Sequence, residues 1–373
     1  MENMEPQITI QSSRNRDNNE NELRFTIQGV NYSFANAIRR IILSEIPVVV
    51  FKTTPYEQNK CNIFTNTTRF NNEILKQRLS CIPIHISDFE NVPLDNYILE
   101  LNVENNTDTI MIVTTEHFKI KNKIRNEYLQ ENDVRNIFPP NPQTGYFIDF
   151  VRLRPKISEQ LPGEKIHLEC EFSVSNAKEN GMFNVVSTCA YGNTPDTEKQ
   201  AEELAKKKMD WNDLSPSQLE FQIQDWKLLD GQRVFLPDSF DFRIETVGVF
   251  TNQELVKKAC SLLVQKLVSF LESDKNVIRP SRNTLSNSFD VILADEDYTL
   301  GKILEFVLFR RFFEGTQILT YCGFKKEHPH SSESIIRLAY ADPIEESMVR
   351  QHLREAVEEC MRVFKIVENK FTD

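Results

Sequence analysis

The sequence predicts an α+β fold in which two related units, each a sheet carrying long amphipathic helices, pair within one polypeptide as a pseudo-dimer, with a mostly β domain inserted in the first. Three observations predict it. The opening of N-Y-S-F-A-N-A-I-R-R-I-I-L-S-E-I-P (Asn31 to Pro47) returns as D-Y-T-L-G-K-I-L (Asp297 to Leu304), 266 residues further on, too far for a solenoid period. Two long amphipathic stretches, Thr251 to Leu271 and Pro343 to Phe371, carry apolar stripes of similar spacing. Between the first repeat and the first of these stretches, segments of alternating apolar and polar residues are separated by Pro- and Asn-rich turns.

In both copies of the repeat a short polar residue and Tyr precede Ser33 or Thr299, hydroxyl side chains suited to accept from the free N–H groups that open a helix. On the first helix Phe34, Ala37, Ile38 and Ile41 recur at the spacing that buries a stripe, leaving Asn36, Arg39 and Arg40 toward the other side. For an isolated arginine pair a solvated face is the ordinary reading. Leu43 on the same side makes that face mixed, as docking surfaces are, with Arg as the anchor type. The second copy has Lys302, Glu305 and Phe306 at the three positions, so the duplicated scaffold presents two different faces.

The remaining elements follow in order. Residues 1–21 are polar and read as a flexible N-terminus from Ser12 onward, with Gln7 to Ile10 alternating like a short strand. Leu23 to Ile27 alternates too, Pro47 ends the first helix, and Val48 to Phe51 suits a buried strand. A polar Asn- and Thr-rich segment leads to a second short helix within Phe70 to Ile84, and Arg78 sits there among apolar neighbours. Residues 22–84 and 226–272 thus make a discontinuous first dimerisation domain around a β insert at 85–225. Lys199 to Met209 inside it is charged, helical in propensity and read as solvated. Phe240 to Gly248 alternates before the long helix, whose stripe includes Leu255, Ala259, Leu262, Leu263, Leu267, Phe270 and Leu271. A linker at 273–288 precedes the second unit, 289–373, which holds a strand, a helix over Thr299 to Phe313 and two more strands. Its closing helix carries Val349, Leu353, Ala356, Cys360, Val363, Val367 and Phe371 in steps of four and three, a seam that needs a facing stripe. Phe34, Ile38, Ile41, Leu255, Ala259, Leu262, Leu267, Leu300, Leu304, Leu353, Ala356, Cys360 and Val367 are the expected pseudo-dimer interface.

Composition narrows the chemistry. A chain of 373 residues with 40% hydrophobic content can bury a sizeable core. Acidic residues exceed basic ones by 55 to 44, the opposite of the balance that phosphate neutralisation demands, so DNA and RNA are expected partners only indirectly. The N-terminus has no apolar core for a signal peptide and no run approaches the roughly 20 residues that span a bilayer, so a soluble, intracellular protein without membrane contact is expected. Seven scattered cysteines without a C-x-x-C pair suit small, buried, reduced thiols. His328 and His330 in E-H-P-H lack a completing ligand cluster and read as a turn. The carboxylates Asp295 to Asp297 read as partners of a helix dipole rather than a metal site. No phosphate-cradling glycine loop or nucleophile elbow is found. No catalytic residue, cofactor or metal is expected.

Three stretches carry a family resemblance. F-A-N-A-I-R-R-I-I-L-S-E-I-P (Phe34 to Pro47), N-N-E-I-L-K-Q-R-L-S-C-I-P-I (Asn71 to Ile84) and F-R-I-E-T-V-G (Phe242 to Gly248) resemble the RNA polymerase alpha family, which includes bacterial alpha and the third-largest subunit of eukaryotic RNA polymerase II. E-D-Y-T-L-G-K-I-L (Glu296 to Leu304) and C-G-F-K-K-E-H-P-H (Cys322 to His330) resemble the eleventh subunit of the eukaryotic enzyme. The resemblance implies both halves of a heterodimer fused head to tail, as in polymerases of large cytoplasmic DNA viruses, for which the virion and host cytoplasm would be the location. It implies a non-catalytic assembly platform of a DNA-directed RNA polymerase whose outer faces dock the second-largest and largest subunits, with further small subunits nearby and no homodimer required. The family's arginine pair, which contacts the second-largest subunit, carries over to Arg39 and Arg40, and its asparagine to Asn36. The family's cysteine cluster is unmatched, since Cys81, Cys170 and Cys189 are far apart, and the DNA-binding C-terminal domain of bacterial alpha is not carried over. A free-standing adaptor on the same fold is the alternative; a nucleotide-processing enzyme would require a metal or phosphate site that the sequence does not offer.

Overall fold

The computed structural model describes residues 4–11, 22–158, 162–212, 214–273, 277–282 and 284–371. Met1–Ile42, Thr188–Glu245 and Asn252–Asp373 form one compact unit, and Leu43–Ser187 with Thr246–Thr251 form another. The chain starts the first unit with β1 (Gln7–Ile10), β2 (Glu22–Gln28) and α1 (Tyr32–Ser44). It then builds the second from β3 (Val48–Val50), β4 (Cys61–Asn66), α2 (Asn72–Ser80), β5 (Tyr97–Glu104), β6 (Met111–Thr114), β7 (Lys119–Asn122) and β8 (Glu127–Tyr128). The same unit continues through α3 (Glu131–Ile137), β9 (Asp149–Leu153), β10 (Lys165–Glu171) and β11 (Ser173–Ser175). The chain resumes the first unit along β12 (Val186–Pro195), with α4 (Thr197–Asp210), α5 (Pro216–Leu228), β13 (Phe235–Thr246) and α6 (Asn252–Glu272) following. Last come β14 (Ile278–Pro280), β15 (Ser288–Ala294), α7 (Tyr298–Leu308), β16 (Leu319–Lys325), β17 (Glu333–Tyr340) and α8 (Glu346–Lys370).

The second unit is built on a five-stranded sheet in the order β4-β10-β5-β7-β8, with two-stranded pairs β11-β3 and β6-β9. Leu75 and Leu79 of α2 share its core with Leu99, Leu101, Phe150 and Leu168. This is why the boundary falls earlier than the sequence expectation at 85. The Val48–Val50 strand pairs with Ser173–Ser175, and β4 pairs with β10, so the stretch from Leu43 is bound to the insert by long-range ladders. The later boundary also moves. β12, expected within the insert, lies beside β13 in the sheet of the first unit, which carries α4 and α5 on the connection between them. The expected helix at 199–209 is α4, with no buried residue.

The first unit holds two four-stranded sheets, β1-β2-β13-β12 and β14-β15-β17-β16. Their connectivity matches. In each, a strand runs through a three-residue link into a short helix, and a later strand antiparallel to the first runs through a five-residue link into a long helix: β2, α1, β13, α6 and β15, α7, β17, α8. The turn out of the first strand is also the same. Gly29 and Asp295, again 266 positions apart, both sit in the left-handed region at φ 76° and 58°. β14 lies within the stretch read as a linker and pairs with β15, so its described residues belong partly to a sheet; 274–276 and 283 lie outside the described residues, as does the expected flexible segment 12–21. The helix expected through Phe313 keeps α geometry to Leu308 and widens to a π turn over Phe309–Gly315.

Candidate assembly interface

Helix α1 is buried at Ser33, Phe34, Ala35, Ala37, Ile38, Ile41 and Ile42, more of its circumference than the expected stripe. Phe34 meets Phe306 of α7 edge-on, with ring centroids 6.2 Å apart, and Phe364 of α8 at 5.4 Å. Phe25 of β2 stacks on Phe242 of β13 and meets the edge of Phe371 just beyond α8. Aromatic rings are the largest apolar payload a chain carries, and here they join elements from both ends of the sequence.

The long helices α6 and α8 form a seam. Leu255, Ala259 and Leu267 of α6 and Leu353, Ala356, Cys360 and Val367 of α8 are all buried, as are Ile38, Ile41, Leu300 and Leu304. Leu262 is half-buried; the stripe of α6 runs through Leu263 instead. Polar contacts flank the apolar strip, with Ser261 Oγ donating to Glu368 Oε1 at 2.5 Å and Lys266 Nζ lying 3.1 Å from Glu296. Burial pushes the thiols of Cys260 and Cys360 up, so both stay protonated and act as small apolar residues.

The three polar residues singled out on α1 separate in role. Arg39 folds back along its own helix and donates to Asn36 Oδ1 from Nε at 3.1 Å and Nη2 at 2.8 Å; burial pushes the Cys189 thiol and the Tyr191 phenol of β12 up, and the nearby Arg39 charge offsets this only in part. Arg40 points to the second half of the unit. Its Nε donates to Thr299 Oγ1 at 2.7 Å, and its Nη2 pairs with the carboxylate of Asp297. Asp297 is also the cap of α7, accepting from the Thr299 N–H at 2.8 Å, just as Asn31 accepts from the Ser33 N–H at 3.0 Å. The acidic run before α7 therefore has a partner that helix-dipole reasoning did not name. The hydroxyls expected to cap the two helices do not: Thr299 Oγ1 accepts from Arg40, and Ser33 Oγ accepts from no helix N–H. The signal for the ion pair was an unexplained arginine seven residues after Ser33 and a carboxylate two residues before Thr299. The matching face of α7 holds Lys302 and Glu305 in an ion pair of 2.5 Å, and Glu305 Oε1 also accepts from the Phe324 N–H of β16.

Among the described residues no group of three or more His, Cys, Asp or Glu side chains is arranged to hold a metal ion. His328 Nδ1 accepts from the His330 N–H at 3.1 Å in the turn between β16 and β17. Arg78, flagged for its apolar surroundings, donates to the carbonyls of Phe150 and Asp149 at 2.7 Å each, fastening α2 to β9. Of the cysteines, Cys81 is exposed, contrary to the buried expectation, because it caps the end of α2. Cys61 and Cys170 face each other across β4 and β10. No helix among the described residues is long and apolar enough to cross a membrane.

Residues 24–267 match the model of the RNA polymerase Rpb3/Rpb11 dimerisation domain. The chain belongs to that family. Curated relatives carry the same affiliation. The chain is 24% identical over 292 residues to DNA-directed RNA polymerase subunit Rpo3 of Methanosphaera stadtmanae, covering 70% of this chain and 98% of that protein. It is 26% identical over 302 residues to DNA-directed RNA polymerases I and III subunit rpac1 of Dictyostelium discoideum, covering 72% and 80%, and 24% identical over 299 residues to the human RPAC1 subunit, covering 68% and 81%. In this Rpb3/Rpb11-type chain the matched stretch contains α1 and most of α6, while α7 and α8 follow it.

Proposed function

We propose that the chain is a non-catalytic assembly subunit of a multisubunit DNA-directed RNA polymerase, acting as a platform rather than as a site of chemistry. Family membership and relatives named as Rpo3 and RPAC1 polymerase subunits support this reading. The single observation that carries the finer part is the repeated strand–helix–strand–helix connectivity, whose two long helices pack together in one chain. On this reading the first half plays the third-largest-subunit role and the second half the eleventh-subunit role, fused as an intramolecular pseudo-dimer like that of large cytoplasmic DNA viruses. The Methanosphaera protein is covered almost end to end while 70% of this chain is used, which leaves room for a second module.

The docking face for the second-largest subunit is assigned to Asn36 and Arg39, with Arg40 at its border engaging Asp297. The largest subunit is assigned to the side of the second half. The test is a mild-salt affinity purification of the tagged chain beside an Arg39→Glu variant shown by circular dichroism to be folded. The parent recovers two polymerase-sized chains, and the variant loses the second-largest. Recovery of neither by the parent refutes the polymerase reading and favours a free-standing adaptor; recovery of both by the variant refutes the assigned face.

A further inference from the structure

Helices α1 and α7 run in opposite directions where they meet, since Arg40, late in α1, reaches the start of α7, while Phe34, early in α1, meets Phe306, late in α7. Each helix carries the same two positions: a cap with its hydroxyl (Asn31 and Ser33, or Asp297 and Thr299), and seven residues after the hydroxyl a residue that faces the other helix's cap region (Arg40 or Phe306). A two-fold arrangement creates two junctions, and these are filled differently. At one, a guanidinium meets a carboxylate and Thr299 Oγ1. At the other, Phe306 lies against Phe34, and the buried Ser33 Oγ, counterpart of Thr299 Oγ1, has no hydrogen-bond partner. The orphan hydroxyl marks where an arginine would stand if the halves were alike.

We infer that Arg40, Asp297, Asn31 and Phe306 form a pairing code that makes the first half accept the second half and reject a copy of itself. The inference rests on the reading of this seam as the pairing interface. Two first halves would set Arg40 against the neutral Asn31 at both junctions, leaving two guanidiniums, one-third exposed in the present structure, without their carboxylate. Two second halves would set Phe306 against Asp297 at both, a carboxylate facing a phenyl ring. Only the mixed pair puts the charge opposite its counter-charge and ring against ring. Specificity of this kind is a difference between arrangements, and a penalty on the wrong one serves as well as a gain in the right one.

The test uses the isolated full chain, so it needs no polymerase partner and its failure is separable from failure of the polymerase reading. Exchanging the caps with Asn31→Asp and Asp297→Asn preserves both helix caps, composition and net charge but moves the carboxylate to the wrong junction. The expected result is a lower urea midpoint and about tenfold more chain dimer by native mass spectrometry. Adding Arg40→Phe and Phe306→Arg moves the rest of the code and should recover at least half of the loss and restore the monomer. A cycle of Arg40→Met and Asp297→Asn decides the matter if the four-site variant does not fold: the double variant should lose no more than the worse single, because either change removes the same contact. Unchanged midpoint and oligomeric state after cap exchange, or strictly additive losses in the cycle, would overturn the inference.

Discussion

Across β15 and β17, Arg337 grips Asp290 with two parallel hydrogen bonds of 2.7 and 2.9 Å at a carboxylate that is almost fully buried. The guanidinium holds the Asp290 carboxyl below its ordinary range. Because the folded value lies below the unfolded one, the pair's contribution is complete above the unfolded carboxylate value, about 3.9, and is lost as pH falls through the folded value. Asp290→Asn should therefore cost about 2 kcal/mol at pH 7. In urea titrations the gap between the parent and this variant should narrow steadily below about pH 4; a gap that stayed constant down to pH 2.5 would remove the pair from the account. Phe34, 1% exposed and touching rings from α7 and α8, should cost about 3–5 kcal/mol when cut to alanine, read as a fall in denaturation midpoint. At this scale the sequence was legible where periodicity governs: Phe34, Ile38 and Ile41 are buried as their spacing requires. It was not legible for Arg40. Helical spacing fixes the side from which a long side chain leaves, but not whether water or a cap 257 residues away receives it.

Among the elements, α7 shows how a local rule yields to packing. Gly301 lies within a helix, where alanine normally gains about 1 kcal/mol. A Cβ there would lie 2.0 Å from the Phe324 ring, which β16 presses onto the helix between Tyr298 and Lys302. Overpacking of that kind costs about 1–3 kcal/mol, so Gly301→Ala should lower stability slightly and Gly301→Val more. A raised urea midpoint for Gly301→Ala would show that the ring swings aside freely. The long amphipathic helices were the most legible elements, because stripes persisting for 21 and 25 residues leave no other period to choose. β4 was missed because C-N-I-F-T-N is rich in polar residues and only Cys61 is fully buried; its pairing with β10 lies in long-range register that no local pattern encodes. α5 was missed for a related reason, as Trp226 is its only buried residue.

For the whole molecule, the packed seam of α6 and α8 is expected to hold the two halves of the first unit together without the segment between α6 and β15. Insertion of a protease site between Glu272 and Ile278, followed by cleavage, should leave both fragments in one peak on native size exclusion, because the α6 and α8 stripes and the Phe25, Phe242 and Phe371 cluster remain buried. Before cleavage the tether makes pairing intramolecular at an effective concentration of up to roughly millimolar. Separation of the cut fragments would mean that the tether supplies the association. The repeat at Asn31 and Asp297 pointed to one strand-to-helix turn used twice, and the two turns are capped alike, by Asn31 and Asp297 rather than by the hydroxyls two residues later. The division between units was less so. β3 is a three-residue apolar run and β12 a ten-residue strand of mixed composition, and the partners of both, β11 and β13, are set by tertiary pairing rather than by their own composition. Membership of this scaffold in a working polymerase is tested by template-directed RNA synthesis in material recovered through a tag on this chain under mild salt. Incorporation of ribonucleotides that requires DNA template, in a fraction containing two much larger chains in equal proportion to the tagged one, is the predicted result; recovery of the tagged chain in pure, folded form with neither large chain nor synthesis would contradict it.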